Sequence, residues 1–359
     1  MTETAHPTIW RGMGYAHAPE WAAHRATWLA WPHNAEDWPG KFAPVPWVFV
    51  EMIRALAGGE RIRLVVNSAE DEVQARAMLQ KAGVDLGRVD FVPLATDRGW
   101  LRDAGPIFVC RTGDAPLAVV DFQFNGWAKY DDWQHDNQIA RLAAAYLQVP
   151  VYRAEAGGRP LVLEGGSIDV NGAGTVITTE ACLLDRDTQP RNPHLSRGQI
   201  EAALSETLGV DQVIWLGQGI AGDDTHGHVD DLCRFVNEKT VVLCRARHAQ
   251  DENYRALEEN HERLQGVWLA NGEALETIDL PMPEPLYFAG QRLPASYANF
   301  YIGNQAVLVP TFNDPNDREA LGILGEVFPD RTVRGIHAVD LIWGLGAVHC
   351  LTHEEPRPD

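Results

Sequence analysis

The sequence lacks several features that would assign a protein to a common class. Its cysteines are few and widely spaced, and no two of them form a CxxC pair: Cys110, Cys182, Cys233, Cys244 and Cys350. Neither a disulfide framework nor a zinc knuckle is indicated, so we expect reduced thiols. The apolar stretch at residues 338–351 is too short for a membrane span and contains Asp340 and His349. The first residues, MTETAHPTIW, lack the basic and apolar segments of a secretory signal, and we expect a cytoplasmic protein.

Positive charge is also scarce. Lys and Arg number 30 against 50 Asp and Glu, which gives a formal net charge of -20. This balance argues against binding to nucleic acid or to an anionic membrane, and it would suit a small cationic ligand. With 359 residues and 45% hydrophobic residues, the chain can build a globular protein with a sizeable core.

What the sequence does contain is a recurring order of elements. Four stretches with alternating or apolar runs around a turn predict β-hairpins: PIFVCRTGDAPLAVVDF, SIDVNGAGTVITT, CRFVNEKTVVLCRA and NFYIGNQAVLVPTF. A segment with helical periodicity follows each: NQIARLAAAYL, LSRGQIEAALSETL, ENYRALEENHERL and DREALGILGEVF. Each unit ends in a short predicted strand: VPVYRAE, DQVIWLG, LETIDLP and TVRGIHA. The N-terminal stretches WVFVEMIRALA and RIRLVV begin the same cycle.

A polar motif precedes each predicted hairpin, and a further one lies near the C-terminus. The motifs are WLRDAGP, LEGGS, THGHVDD, ASYANF and VHC, at intervals of about 50 to 70 residues. Five such units would close into a ring whose equivalent loops meet at one end of its axis. That arrangement would bring together Asp103, Glu164, His228, Asp230 and Cys350. An ordinary α/β domain with hairpins is the alternative, and it would not require these residues to meet.

His228 and Asp230 stand two positions apart at the start of a predicted strand, so both side chains should leave one face. A histidine beside a carboxylate can transfer protons and hold a cation. Two alternatives remain open at this point. His226 and His228 form an HxH pair that Asp230 could complete as a metal site, or the pair could simply face water.

The other two acidic candidates lie in turns. Asp103 precedes a Gly-Pro turn, where an aspartate is commonly a turn or cap residue. Glu164 follows the apolar run LVL, so we expect it near a strand end, partly buried and in need of a partner. Gly165 and Gly166 allow close backbone approach there.

Cys350 follows a glycine-rich segment, WGLG, and has His349 and His353 near it. A cysteine in an apolar strand is most often inert packing. A reactive thiolate needs nearby positive charge, which the two histidines or a cationic substrate can supply. Alternation along a strand would point His349 away from Cys350, which leaves the substrate as the second source of charge.

Taken together, one thiol, one imidazole and three carboxylates match the hydrolysis of a guanidinium group. Carboxylates can hold the planar cation by paired hydrogen bonds while sulfur attacks its carbon and forms a covalent thiouronium-type intermediate. His228 would protonate the departing ammonia and then activate water, and no metal is required. Two other classes stay open: a zinc-dependent hydrolase that uses His226, His228 and Asp230, and an inactive module that binds polyamine-like cations.

The motifs, in their order along the chain, resemble those of a known family. They run from PEWAAHRATWLAWPHNAEDWPG through WLRDAGP, DFQFNGWAKY, LEGGSIDVNGAGTVITTEACLL, RNPHLS, GHVDDLCRFV and NFYIGNQAVLVPTFND to GAVHCLTHEEP. This series resembles the agmatine deiminases, or agmatine iminohydrolases, which are grouped with bacterial-type peptidylarginine deiminases in the guanidine-modifying superfamily. The resemblance implies an α/β fold, the five-bladed β/α propeller with pseudo-fivefold repeats called the pentein fold. It also implies a single domain over residues 1–359.

The resemblance also implies a role for each site residue. Cys350 would be the nucleophile and His228 the general acid and base. Asp103 and Asp230 would hold the guanidinium, and Glu164 would orient and charge His228.

For the rest of the substrate, the resemblance implies binding by Trp100, as an aromatic wall, and by Asp224. The implied reaction converts agmatine and water to N-carbamoylputrescine and ammonia, a step toward putrescine, without metal or cofactor. We expect a homo-oligomer with a small guanidino substrate. Asp169 and His226 depart from the usual family residues, which leaves arginine, peptidylarginine or another guanidino compound as alternative substrates.

Overall fold

The computed structural model of the chain describes residues 11–358. The helices in this range are α1 (Val45–Leu56), α2 (Ala69–Lys81), α3 (Leu101–Ala104), α4 (Ile139–Leu147), α5 (Glu180–Leu183), α6 (Arg197–Leu208), α7 (Tyr254–Leu264), α8 (Asp317–Val327) and α9 (Val348–Leu351). Across the same residues, every helix falls short of the length and apolar character that crossing a bilayer demands.

The strands are short and numerous. In chain order they are β1 (Ala16–His17), β2 (His24–Ala30), β3 (Arg61–Val66), β4 (Val89–Pro93), β5 (Ile107–Cys110), β6 (Leu117–Asp121), β7 (Val151–Arg153), β8 (Glu155–Ala156), β9 (Arg159–Pro160), β10 (Asp169–Val170), β11 (Thr175–Thr179), β12 (Gln212–Leu216), β13 (Cys233–Phe235), β14 (Thr240–Arg245), β15 (Glu276–Pro281), β16 (Tyr287–Phe288), β17 (Gln291–Arg292), β18 (Tyr301–Ile302), β19 (Ala306–Thr311), β20 (Thr332–His337) and β21 (His353–Pro356). The four predicted hairpins, their following helices and their closing strands are all confirmed.

Four sheets repeat one connectivity. In β10–β11–β12, β13–β14–β15 and β18–β19–β20, an antiparallel hairpin is followed by a helix and by a strand parallel to the second hairpin strand. The sheet of β5, β6 and β7 has the same order, with β1 added at the edge of β5. The helices cover these sheets with apolar stripes. In α4, for example, Ile139, Ala140, Ala143 and Ala144 are buried, a spacing of three and four residues.

A fifth sheet joins the two ends of the described chain. Strand β21 pairs antiparallel with β2, so that Trp28 lies opposite His353 and Thr27 opposite Glu354. Strand β3 then runs parallel to β2, and β4 parallel to β3. This sheet is the same unit as the other four with its hairpin split between the chain ends. The split explains why the sequence displays only four continuous hairpins.

One short turn of helix stands directly before the first strand of most of these units. The turns are α3, the 3₁₀ turns Gly165–Ser167 and Val229–Asp231, and α9. Two expectations are corrected here. Asp230 lies in a 3₁₀ turn and His228 directly before it, and neither is on a strand, because strand β13 begins only at Cys233. Cys350 lies in α9 and not on the last strand, because the chain extends again only at His353.

Candidate active site

One cavity of about 340 Å³ is lined by residues that are far apart in sequence, among them Trp100, Asp103, Trp127, Asp224 and Cys350. The other polar motifs lie next to these residues: His228 is 3.6 Å from Asp103 and 3.8 Å from Glu164, and Asp230 is 3.9 Å from the Cys350 sulfur. These contacts bear out the predicted convergence of the polar motifs among the described residues.

The Cys350 sulfur is held by an amide. Asn299 donates a hydrogen bond from Nδ2 to Sγ over 3.1 Å, while its Oδ1 accepts from the backbone N–H of His349 over 2.9 Å. Burial raises the pKa of the Cys350 thiol well above its usual range, and the carboxylates of Asp230 and Asp231 raise it further. The free protein therefore holds a neutral thiol beside excess negative charge. The sequence singled out the motif around Asn299 without assigning this contact.

His228 is fully buried between two carboxylates. Its Nδ1 lies 3.6 Å from Asp103 Oδ1 and its Nε2 lies 3.8 Å from Glu164 Oε2. Among the described residues neither ring nitrogen has a hydrogen-bond partner. Burial lowers the pKa of this imidazole, but the charge of Asp103, followed by Cys182 and Glu164, outweighs burial and raises it well above the usual value. These charges favour the protonated ring, which can donate to an arriving group.

Glu164 is fixed from behind by an arginine. Arg191 Nε donates to Glu164 Oε1 over 2.9 Å, and the other guanidinium nitrogens donate to the carbonyls of Gln189 and Thr225. Burial raises the pKa of Glu164, yet the charges of Arg191 and His228 prevail and lower it to about 2. Glu164 is therefore a permanent anion whose Oε2 faces His228. Arg191 belongs to the motif RNPHLS, and nothing local in that motif indicated this contact.

Asp103 is held in place by two neutral donors. Trp127 donates from Nε1 to Oδ2 over 2.8 Å, and the backbone N–H of Gly166 donates to Oδ1 over 3.1 Å. Burial raises the pKa of Asp103 to about 6, and the charges of Asp230 and Glu164 add to this rise while His228 opposes it. A cation placed beside Asp103 would offset the cost of burying its negative charge.

Asp230 has one occupied oxygen and one free oxygen. His349 Nδ1 lies 2.7 Å from Oδ2, whereas Oδ1 is buried and has no partner among the described residues. Burial raises the pKa of Asp230, but the hydrogen bond from His349 outweighs burial and lowers it. Oδ2 lies 3.9 Å from Cys350 Sγ, so the acid stands beside the thiol.

Three of these groups converge on Gly166. A Cβ atom at this position would lie 2.6 Å from His228 Nδ1, 2.7 Å from Asp103 Oδ1 and 3.0 Å from Asp230 Oδ2. Such separations are shorter than van der Waals contact, so only glycine fits without displacing the site. The close backbone approach expected at the Gly165–Gly166 pair is found at Gly165, where a Cβ would lie 2.1 Å from the carbonyl oxygen of Arg102.

Trp100 and Asp224, the two residues expected to bind the rest of the substrate, both line the cavity. Trp100 packs against Trp38 with ring centroids 5.3 Å apart. Asp224 already has partners: Tyr130 donates from its hydroxyl to Oδ2 over 2.7 Å, and Lys129 pairs with Oδ1. The negative charge of Asp224 is therefore already paired, and Arg98 adds a cation to the cavity wall.

The two departures from the family pattern lie away from the reacting groups. Asp169 is paired with Arg234 and does not line the cavity. His226 has a positive φ of 65° and contacts Asp185 over 3.3 Å. Groups of metal-ligand type within the described range are Glu164, Cys182 and His228, and Asp230, Asp231 and Cys350. His226 is in neither group, so the HxH arrangement considered for zinc is not assembled.

Comparison with known proteins decides the family. The sequence pattern of the Porphyromonas-type peptidyl-arginine deiminase family matches residues 16–356. The chain belongs to this family. It is similar to the agmatine deiminase of Stutzerimonas stutzeri, with 39% identity over 96% of both chains. It is also similar to that of Ectopseudomonas mendocina, with 37% identity over 99% of both chains.

Solved structures of the family share the mixed α/β fold. The agmatine deiminase of Enterococcus faecalis matches with a TM-score of 0.89 and 29% identity, over 99% of this chain and 100% of that one. The agmatine deiminase of C. jejuni, determined with substrate bound, matches with a TM-score of 0.84 and 28% identity, over 96% and 97% of the chains. An amidinotransferase of Microseira wollei, at 11% identity and a TM-score of 0.52, shares the fold alone.

Proposed function

We propose that the protein is an agmatine deiminase, which hydrolyses agmatine to N-carbamoylputrescine and ammonia through a covalent intermediate on Cys350. The observation that carries this proposal is the proximity of a thiol, an imidazole without a hydrogen-bond partner and two carboxylates, of which Cys350 and Asp103 line the cavity. The family membership and the names of the similar proteins support the same reaction.

Binding of the substrate rests on Asp103 and Asp230. The guanidinium is a planar cation with several N–H donors, which suits carboxylates that have unused acceptor positions. Asp230 Oδ1 is such a position, because it is buried without a partner. The bound cation offsets the negative charge that raises the pKa of the Cys350 thiol, so binding itself favours the thiolate.

The chemistry then follows in two halves. In the first, Cys350 Sγ forms a bond to the guanidinium carbon, His228 gives its proton to one nitrogen, and that C–N bond breaks to release ammonia. This leaves the carbon as a thiouronium-type group on sulfur. In the second half, His228 removes a proton from water, the water oxygen bonds to the carbon, and the C–S bond breaks. The products are the ureido compound and the restored thiol. Glu164 keeps His228 oriented and favours its protonated form.

The product N-carbamoylputrescine is a urea of putrescine, so one further hydrolysis would free the diamine. We place the reaction in putrescine synthesis on this chemical ground. Trp100 supplies a flat apolar wall beside the alkyl chain, and Asp224 lies farther along the cavity to receive the distal ammonium.

Arginine is a second candidate substrate, and one observation favours it. The cavity is also lined by Arg98, whose Nη1 donates to Asp37 over 2.6 Å, and Asp224 is already paired with Lys129. A cationic side chain at the cavity wall, together with an aspartate whose charge is already paired, would suit a carboxylate better than an ammonium. Values of kcat/KM for agmatine, arginine and a peptidylarginine, measured side by side, distinguish the candidates.

The wider architecture is also part of the proposal. We propose that the five sheets form a five-bladed β/α propeller of the pentein type within a single domain. Their common connectivity, the sheet that joins the chain ends and the shared location of the polar turns support this arrangement. Assembly as a homo-oligomer in the cytoplasm is proposed from the family alone.

The direct test is incubation with agmatine, followed by measurement of ammonia and by mass spectrometry of the product and of the protein. We expect a ureido product and a transient adduct on Cys350. Cys350→Ala should remain folded and lose turnover by about 10⁴-fold or more. Undiminished turnover by this variant would reject the nucleophile, and dependence on stoichiometric zinc would favour the metal hydrolase.

A further inference from the structure

A second cluster of buried charges lies behind the active site. It lines a small cavity of its own, separate from the one that contains Cys350. We call it the rear cluster, and its interacting ionisable side chains are Glu20, Arg102, Asp169, Arg234, His349 and Glu354. The catalytic scheme above uses none of these residues, yet burying so many charges is costly unless they are paired.

His349 connects the rear cluster to the active site. Its Nδ1 lies 2.7 Å from Asp230 Oδ2 and its Nε2 lies 2.7 Å from Glu20 Oε2. Each carboxylate oxygen can only accept, so the ring satisfies both contacts when each nitrogen carries a hydrogen. The backbone N–H of His349 is bound to Asn299, which fixes the ring relative to the neighbouring Cys350.

Two arginines and a backbone N–H fix the carboxylate of Glu20, which contacts the His349 ring. Its Oε2 lies 3.0 Å from Arg234 Nη2 and 3.2 Å from Arg102 Nη2, and its Oε1 accepts from the backbone N–H of Ile302 over 2.7 Å. Burial raises the pKa of Glu20, but Arg234 and then His349 lower it well below the usual range. Glu20 is thus a fixed anion on the far side of His349.

Asp169 completes this support, which explains its departure from the family pattern. Its carboxylate pairs with Arg234 Nε, and Arg234 Nη1 donates to the carbonyl of Phe300 over 2.7 Å. Asp169 therefore balances the arginine that holds Glu20. It has no contact with the substrate cavity among the described residues.

We infer that His349 and Glu20 are positioning residues that orient Asp230 and keep it ionised for the guanidinium. His349 occupies Oδ2 of Asp230, which turns the unpartnered Oδ1 into the acceptor left for the substrate. This inference rests on the proposed function, since it assigns Asp230 to the grip on the guanidinium. A purely structural ion network would hold the fold without affecting how Asp230 titrates.

Several ionisable groups lie close to Asp230 and Glu20, the two carboxylates that His349 joins. These groups contribute to the pH dependence of activity. Asp230 is faced by His349, His228, Arg234, Cys350, Asp103 and Asp231. Glu20 is faced by Arg234, His349, Arg102, Glu354 and Asp169. Of these, His349 makes the hydrogen bond to Asp230 within the described residues, so its removal acts on the carboxylate directly.

The test compares His349→Leu with His349→Asn and with the matched control His353→Gln. His353 is an equally buried histidine nearby that has no hydrogen-bond partner in the described range. For His349→Leu we expect kcat/KM for agmatine to fall about 10²-fold, chiefly through KM, because a misplaced carboxylate grips the cation poorly. Both Asp103 and Asp230 must be ionised to hold the guanidinium, so the acid limb of the pH profile of kcat/KM should move to higher pH when Asp230 loses the donor that favours its charged form.

The conservative variant and the control separate positioning from general damage. Asparagine can keep a donor near the Nδ1 position, so His349→Asn should recover part of the loss and part of the shift. His353→Gln should leave the acid limb where it is. Glu20→Gln, which keeps a similar shape without the charge, should move the limb in the same direction as His349→Leu, and it decides the question if the His349 variants do not fold.

Equal losses in His349→Leu and His353→Gln with an unmoved acid limb would overturn the inference. Failure of the proposed function looks different, because the unmodified protein would then show no turnover of agmatine. Calorimetric binding of agmatine to Cys350→Ser gives a readout without turnover. In the Cys350→Ser protein, adding His349→Leu should weaken agmatine binding at least about 10-fold. Unchanged affinity would also contradict the positioning role of His349.

Discussion

The active site and the rear cluster are built from the same kinds of buried side chains, but their charges are balanced differently. In the rear cluster, Arg102 and Arg234 each lie within 3.2 Å of their carboxylate partners. At the active site, Asp103 accepts hydrogen bonds from two neutral donors, and His228 lies 3.6 Å from it.

The difference shows how one fold separates support from chemistry. Paired charges fix geometry and resist change, whereas unpaired ones are costly and respond to a ligand. Beside Asp103 and Cys350, both ring nitrogens of His228 and Oδ1 of Asp230 have no hydrogen-bond partner among the described residues. An arriving guanidinium would supply the missing positive charge there, so the deficit on the cavity side is itself a mark of the substrate's chemistry.

The largest loss of activity is expected from a variant that adds a side chain where the catalytic groups approach one another. Gly166→Ala would place a methyl group within 3.0 Å of atoms of His228, Asp103 and Asp230. We expect kcat/KM to fall about 10²- to 10³-fold, because small displacements of reacting groups are costly. Gly198→Ala is the control, since a Cβ there meets nothing within 4 Å, and it should retain full activity. Comparable kinetics in both variants would show that the convergence does not matter.

A second test compares a rear-cluster variant, which should lose stability, with an active-site variant, which should lose activity. Arg234→Met would leave Glu20 and Asp169 buried without their shared partner, and we expect a loss of about 3 to 5 kcal/mol in the free energy of unfolding. Asp103→Asn, on the cavity side, should unfold at the same or higher denaturant concentration while losing most of its activity, because it removes a carboxylate that burial disfavours. Urea unfolding followed by circular dichroism measures both. If Arg234→Met were as stable as the parent, the rear cluster would not be a structural support.

A smaller effect is expected in the pH dependence. Asp103 must be ionised to hold the guanidinium, and its pKa is raised to about 6. We therefore expect kcat/KM to be constant above about pH 7 and to fall as the pH drops through 6. Trp127→Phe removes a hydrogen bond that favours the charged form, so it should move this limb to higher pH. A limb that stays near the ordinary aspartate value in both proteins would remove Asp103 from the role.

Much of the fold was predictable because its signals are local. The alternation within hairpins and the helical spacing of α4, α6, α7 and α8 are readable from neighbouring residues. The five polar motifs were also visible, and their even spacing indicated that Cys350, His228 and the carboxylates meet. The sequence could not show that Asp230 lies in a 3₁₀ turn with His228 directly before it, because so short a turn leaves no periodic pattern.

The sequence by itself determined the repeated elements, the candidate nucleophile and acids, and the family. Only the tertiary structure decided that the chain ends share one sheet, that Asn299 holds the sulfur, and that His349 turns away from it toward Asp230 and Glu20. The physical reason is the sequence separation of the residues involved. Periodicity records which neighbours share a face, whereas the pairing of Glu20 with a ring 329 positions later depends on how the sheets are brought together.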